Sequence, residues 1–309
     1  MPDILVVGSL NADLVVRAPR FPQPGETISG EDLQVIPGGK GANQAVAAAR
    51  LGANVSMLGR VGKDNFGDFL LNNLKSNDVD TQFVQRDDAS TGTAIIVVDS
   101  NGQNSIVLSA GANGKVSTAD VEHASFLHHK LLLLQLEIPT PTVLRAAQRA
   151  HENGLRVILN PAPAKEIPDE LIALADFIIP NETELSLLTG MHVNDSATTE
   201  KAARVLLQRG AKHIIVTLGS KGALIVDEST STQVASFKVN VVDTTAAGDA
   251  FIGGFASILD SSSSSHSQGV LDAVRFGCAC GALATTKFGA HPSLPTKQEV
   301  ERFMSLQAT

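Results

Sequence analysis

Six short runs of the 309-residue chain are apolar almost without interruption: Ile4 to Val7, Val55 to Leu58, Leu131 to Leu134, Val157 to Leu159, Phe177 to Ile179 and Ile214 to Thr217. An amphipathic strand alternates, whereas a strand covered by helices on both faces does not, so runs of this kind belong to a buried parallel sheet. Longer segments of helical spacing separate them, as parallel crossovers require. The rhythm predicts an α/β fold, a three-layer αβα sandwich around a mostly parallel central sheet. Several helix ends are readable. Thr140-Pro141 reads as a cap followed by a first-turn proline, Gly190 and Gly210 as terminators, and Thr296 to Glu299 as a capping box opening the last helix. No repeat or linker interrupts the pattern, which gives one domain over residues 1–309.

Two stretches break the rhythm. Residues of about 12–38 alternate around Pro19, Pro22 and Pro24, and residues of about 91–110 carry two strand-like runs around Asp99-Ser100-Asn101-Gly102, a hairpin signal. Strands without crossover helices predict a small separate sheet projecting from the body as a lid. Ser261 to Ser265 reads as a surface loop.

Composition excludes several classes of function. Lys and Arg number 24 against 32 Asp and Glu, a net charge of −8, the wrong sign for neutralising nucleic-acid phosphates or docking on an anionic membrane. Trp and Tyr are absent, which removes the usual stacking platforms for single strands. No apolar run approaches the roughly 20 residues of a spanning helix, and the first residues lack a signal-peptide pattern. These features predict a cytoplasmic protein. Cys278 and Cys280 are too few for a disulfide framework and read as small buried hydrophobes. The eight histidines show no metal-ligand spacing, and no P-loop, Gly-x-Gly-x-x-Gly or Gly-x-Ser-x-Gly motif is present.

Four segments carry chemistry-bearing residues. Pro37-Gly38-Gly39-Lys40-Gly41-Ala42-Asn43-Gln44 lets backbone approach a ligand and brings donors from Lys40 and Asn43; it reads as a sugar or phosphate clamp, or as a flexible loop before the helix Ala45 to Leu51. Asp243 to Phe251 places small residues and Asp249 at a helix start. Free amides there form an anion nest, and a carboxylate beside it is what phosphoryl transfer to an alcohol needs, although Asp249 also reads as a plain first-turn acid. Asn181-Glu182-Thr183-Glu184 follows a strand at the sheet edge where α/β proteins place ligands; it is either a capping box or, through Glu184 and water, a seat for nucleotide-bound Mg²⁺. Thr217-Leu218-Gly219-Ser220-Lys221-Gly222 passes under a nucleotide's phosphates or closes a simple hairpin.

Taken together, Gly38 to Ala45 and Asp243 to Asp249 resemble the two signatures of the ribokinase-like sugar kinases. Gly8-Ser9-Leu10-Asn11-Ala12-Asp13, Pro24-Gly25-Glu26-Thr27, Asn160-Pro161-Ala162-Pro163 and Asn181 to Glu184 follow in that family's order, so the resemblance covers essentially the whole chain. The Ala246-Ala247 pair and Gly-Ala-Asn-Gln after Lys40 point to its ribose-phosphorylating branch. The resemblance implies ATP-dependent phosphorylation of the 5-hydroxyl of D-ribose. Asp249 would be the base, with amides of Ala246, Ala247 and Gly248 as the anion hole. Asn11, Asp13, Gly39, Lys40, Asn43, Glu137 and Asp249 would read the sugar. Asn181 and Glu184 would organise Mg²⁺ and phosphate, while Thr217, Gly219, Gly222 and Gly248 border the nucleotide. Cys278 would stand near the adenine, where the family often has a polar residue. K⁺ would sit among Asp243, Thr245, the carbonyls of Ala284, Lys287 and Gly289, and Ser293. A homodimer through the lid sheet is also implied. The competing expectations are a kinase of the same fold acting on deoxyribose, fructose or another small sugar, and a non-catalytic sugar or nucleotide sensor.

Overall fold

The computed structural model describes residues 3–259 and 267–307. The serine run at 261–265, read above as a loop, lies outside them. Among the described residues are thirteen strands: β1 Asp3–Val7, β2 Asn11–Arg17, β3 Gln34–Gly38, β4 Asn54–Gly62, β5 Val79–Asp87, β6 Gly92–Val98, β7 Asn104–Ser109, β8 Leu131–Leu134, β9 Arg156–Leu159, β10 Phe177–Ile178, β11 His213–Thr217, β12 Ala223–Val226 and β13 Ser231–Val234. The helices are α1 Lys40–Arg50, α2 Asn65–Ser76, α3 Thr118–His123, α4 Thr140–Glu152, α5 Asp169–Leu174, α6 Glu182–Thr189, α7 Ser196–Gln208, α8 Ala247–Ile258, α9 Ser267–Ala284, α10 Ala290–Ser293 and α11 Lys297–Gln307.

Nine strands form the central sheet in the order β13-β12-β11-β10-β9-β8-β1-β4-β5. All six apolar runs lie in it, and only β12 and β13 pair antiparallel. The continuous hydrophobicity has the expected cause. Ile4, Val6, Leu131 and Leu133 enter one core with α1, α2, α8 and α9, while Leu5, Val7, Leu132 and Leu134 enter a second core with α3 to α7 on the opposite face. From β1 the chain runs first to β4 and β5 on one side and later to β8 and its successors on the other. A crevice lies past the carboxyl ends of β9, β10 and β11.

The rhythm-breaking stretches form a second sheet, β3-β2-β6-β7, in which β2 and β6 pair in parallel and β7 returns antiparallel around Asp99 to Gln103. Some expectations need correction. Thr140 is the first helical residue and Pro139 the cap, because Thr142 and Val143 amides already bond to the Pro139 carbonyl. The Gly-rich clamp is not a loop: α1 begins at Lys40, five residues before Ala45, directly after β3. The run ending at Ile179 gives only a two-residue strand, and Thr217-to-Gly222 closes the β11–β12 hairpin. Gly190 ends α6 in the left-handed region, and Thr296 and Glu299 form the expected reciprocal cap. Among the described residues no helix is long and apolar enough to cross a membrane.

Candidate active site

The start of α1 fixes the first wall of the crevice. Gly39 caps the helix at φ 89°, and a Cβ there would lie 2.7 Å from the Asn11 amide nitrogen, so only glycine lets β3 turn this close to β2. Gly38 is needed for a second reason: a Cβ would fall 2.2 Å from Oδ2 of Asp13, whose carboxylate lies over it. Past this turn the Lys40 amide donates to Glu137 Oε2 (3.0 Å), which also accepts from the Ser9 hydroxyl (2.5 Å). Asn11 accepts at Oδ1 from Asn113 Nδ2 (2.7 Å), and Asn113 also brackets both backbone polar groups of Leu10.

The second wall is the head of α8. Ala246, its cap, sits in the left-handed region at φ 58°, an uncommon state for a residue with a Cβ. The turn places Asp249 in the first helical turn, where Ala247 N donates to the Thr244 carbonyl (3.3 Å) and Ala250 N to the Ala246 carbonyl (2.8 Å). Asp249 is only 6% exposed. Its Oδ2 accepts from Asn43 Nδ2 (2.8 Å) and its Oδ1 from Gln44 Nε2 (2.9 Å). Asn43 Oδ1 is buried and has no partner, so one acceptor beside this carboxylate remains unsatisfied.

Lys40, Asn160, Asn181, Glu184, Thr217, Thr244, Ala246, Gly248 and Asp249 line a cavity of about 200 Å³. Its electrostatics are those of an ion site. Burial alone would lower the Lys40 ammonium, but the charges of Asp249, Glu137 and Glu184 outweigh it and hold the pKa above the ordinary value. Burial raises the Glu184 carboxyl despite the Asn181 amide and Lys40. Asp13 is raised to about 7 by burial, then by the charges of Glu137 and Asp249. A cation flanked by acids, next to the start of α8, suits polyanionic phosphate on one side and hydroxyls on the other.

Asn181 and Glu184 realise the capping box: Glu184 donates its amide to Asn181 Oδ1 (2.8 Å) and accepts from Asn181 N (2.9 Å) and Nδ2 (3.1 Å). Both side chains also line the cavity. Among the described residues no group of three or more His, Cys, Asp or Glu could hold a metal. A lone buried carboxylate fits Mg²⁺ that arrives with phosphate and keeps its waters.

Three of the expected cation residues, Asp243, Thr245 and Gly289, are bonded into one knot. Asp243 Oδ1 accepts from the Thr245 amide (2.9 Å) and hydroxyl (2.7 Å), Oδ2 accepts from Gly289 N (2.9 Å), and Val242 N reaches the Thr285 carbonyl (2.7 Å). The Ala284 carbonyl takes only a long bond from Lys287 N (3.4 Å), and buried Ser293 donates to the Ala290 carbonyl (2.8 Å). One carboxylate among hydroxyl and carbonyl oxygens suits a weakly hydrated monovalent ion.

Not every expected residue lines this cavity: Asn11, Asp13, Gly39, Asn43, Glu137 and Ala247 stand outside its lining, as do three more. Cys278 is in the core within α9, its thiol pushed up to about 12 by burial, and does not line the cavity. Gly219 and Gly222, at φ 54° and 95°, shape the turn after Thr217 but do not line it either. Conversely, Gln44, Gln135 and Asn160 join the site without having been singled out. Their signal was available: each is an amide side chain at the end of an apolar run or inside a quoted motif.

The model for "pfkB family carbohydrate kinase" matches residues 1–297. A ribokinase of Haemophilus influenzae is 43% identical over 97% of this chain and 98% of its own. A deoxyribokinase of Salmonella typhimurium is 40% identical over 98% and 99%. Among solved structures, an Arabidopsis thaliana ribokinase complexed with ribose and ATP superposes with a TM-score of 0.89 at 35% identity, covering 98% of each chain.

Proposed function

Because this chain belongs to the pfkB family of carbohydrate kinases, we propose that it is a phosphotransferase carrying the γ-phosphoryl group of ATP to the 5-hydroxyl of D-ribose. The products are D-ribose 5-phosphate and ADP. The observation that carries this reading is the Asp249 carboxylate, buried at the start of α8 between a sugar-sized set of polar groups and the helix-start amides. The ribose oxygen bonds to the γ-phosphorus as the bond to the ADP oxygen breaks, and the hydroxyl proton passes to Asp249.

On the sugar side, Asp13 and Glu137 accept hydrogen bonds from hydroxyls, Asn43 Oδ1 is the unsatisfied acceptor, and Asn11 and the Gly39–Lys40 backbone border the ring. On the phosphate side, Lys40 and the amides of Ala246, Ala247 and Gly248 face the charge that develops on the transferring group. Asn181 and Glu184 hold Mg²⁺ through water, which neutralises phosphate charge when bound. Thr217 borders the nucleotide. We assign K⁺ to the Asp243 knot, a homodimer to the small sheet and the reaction to the cytoplasm. The small sheet would close over the sugar and exclude water that would otherwise take the phosphoryl group.

An ADP-release assay across D-ribose, 2-deoxyribose, fructose and other small sugars tests the reading. Turnover should be highest with D-ribose and should fall about 10²-fold or more in Asp249→Asn. Preference for deoxyribose or fructose moves the assignment to the other sugar kinases. Absence of turnover with every sugar leaves a sensor.

A further inference from the structure

Gln44 is wholly buried on α1 yet carries no group that reaches the cavity wall. Its side chain is fully engaged. Nε2 donates both to Asp249 Oδ1 (2.9 Å) and to Asn160 Oδ1 (3.2 Å), and Oε1 accepts from Gln135 Nε2 (2.5 Å). Asn160 in turn donates to the Ile179 carbonyl (3.0 Å). One amide therefore ties the residues that end β8, β9 and β10 to the first turn of α8. Each terminal partner is anchored by a strand, so the direction of the Gln44 N–H bonds is set by the central sheet.

We infer that Gln44 is a positioning residue for phosphoryl transfer, holding the Asp249 carboxylate at the rotation that presents Oδ2 to the sugar hydroxyl. The inference rests on the reading of Asp249 as base. The geometry supplies the reason. A carboxylate in a first helical turn has a freely turning terminal torsion. Asn43 alone fixes one oxygen but leaves the plane free to rotate about that bond. A second donor on the other oxygen removes the rotation. Asn43 Oδ1 has no partner, so that side chain is held by one bond, whereas Gln44 is held by three, all to protein. The pre-set orientation is worth most in the transition state, because a misplacement of about 1 Å costs on the order of 10²-fold in rate.

The test uses Gln44→Met, which removes both donors at similar volume, and Gln44→Glu, which keeps the size and the acceptor for Gln135 but loses the amide hydrogens. In both, kcat should fall about 10- to 100-fold while the dissociation constant for D-ribose, measured calorimetrically without nucleotide, changes less than about threefold. Combined with Asp249→Asn, either change should lower the residual kcat no further, because the group it aims is gone. If Gln44→Met fails to fold, as judged by its melting temperature, Gln44→Glu carries the test. A parallel fall in kcat and ribose affinity, or a full additional loss in the Asp249→Asn background, overturns the positioning role and leaves Gln44 as a core residue. An Asp249→Asn enzyme with wild-type turnover overturns the base itself, and this inference with it.

Discussion

Asp13, proposed above as a sugar ligand, works against folding when ionised. Its carboxyl rises from 3.8 to about 7, first by burial and then by the charges of Glu137 and Asp249, while Lys40 also borders the cluster. A carboxyl raised on folding inverts the usual acid behaviour. As pH climbs from about 4 to about 7 the unfolded chain gives up this proton and the native protein keeps it, so this residue's contribution to stability falls across that window and levels off above it. Asp13→Asn keeps the shape and removes the titration. The variant should melt above the wild type at pH 8 and lose that advantage towards pH 4, and its KM for D-ribose should rise far more than its KM for ATP. Scanning calorimetry at the two pH values decides the first point; a difference independent of pH would remove Asp13 as its source. At this scale the sequence disclosed the acids and amides that stand in short motifs, such as Asn43 and Asp249. It did not disclose Asn113, because a single amide in a short turn has no pattern around it; only the fold reveals that Asn113 brackets Leu10 from 103 residues away.

Among elements, the buried strands were legible because burial on both faces writes a continuous apolar run, and β8 begins and ends where its four leucines do. The edge strand β5, Val-Asp-Thr-Gln-Phe-Val-Gln-Arg-Asp, is half exposed and mixed in sequence, so nothing marked it. The start of α1 was obscured by its glycines, which are there for close approach: a Cβ on Gly41 would lie 2.6 Å from the Ser9 amide nitrogen. The Gly253-Gly254 pair in α8 is explained the same way. A Cβ on Gly253 would meet Ala47 Cβ at 2.4 Å and Ala48 N at 2.9 Å, and one on Gly254 would meet Cys280 Sγ at 2.7 Å, so α8 is pressed between α1 and α9. Helix propensity favours alanine over glycine by about 1 kcal/mol, but overpacking here costs about 1–3 kcal/mol. Gly253→Ala should lower the urea midpoint and, by pushing α8 from α1, stretch the Asn43–Asp249 bond and lower kcat; a more stable variant would show that the helices part freely. The end of α9 meets the segment before α8 at the Asp243 knot, behind the helix-start amides. A K⁺ ion there would act by holding those amides in place rather than by touching substrate. At constant ionic strength, activity should rise with K⁺ and fall when Na⁺ or a bulky organic cation replaces it, and Asp243→Ala should abolish the response. Equal rates in all three salts would remove the ion from the account.

The whole molecule leaves one surface unexplained by its own packing. In the small sheet, residues paired across strands share a face, and the row Ile36, Asp13, Ala94, Leu108 lies on the side of the sugar residues. The next row, Val35, Leu14, Ile95, Val107, lies on the opposite face, with Ile95 51% and Val107 63% exposed. A projecting sheet has no reason to carry an exposed apolar row on this face unless something covers it. A second copy of the chain is the economical cover, since a two-fold axis lets one row bury its equivalent and counts every contact twice. Each branched side chain so buried contributes about 1.5–3 kcal/mol. The dimer would also stiffen the sheet over the sugar, linking assembly to catalysis. The prediction is a homodimer by sedimentation equilibrium, converted to monomer by Ile95→Lys or Val107→Glu, because each places two charges in an apolar seam. The melting temperature of the body should change little, as neither side chain is in a core. KM for the sugar should rise in the monomer, whose sheet stands unsupported. A wild-type monomer, or a dimer untouched by both substitutions, would place the function of that apolar row elsewhere.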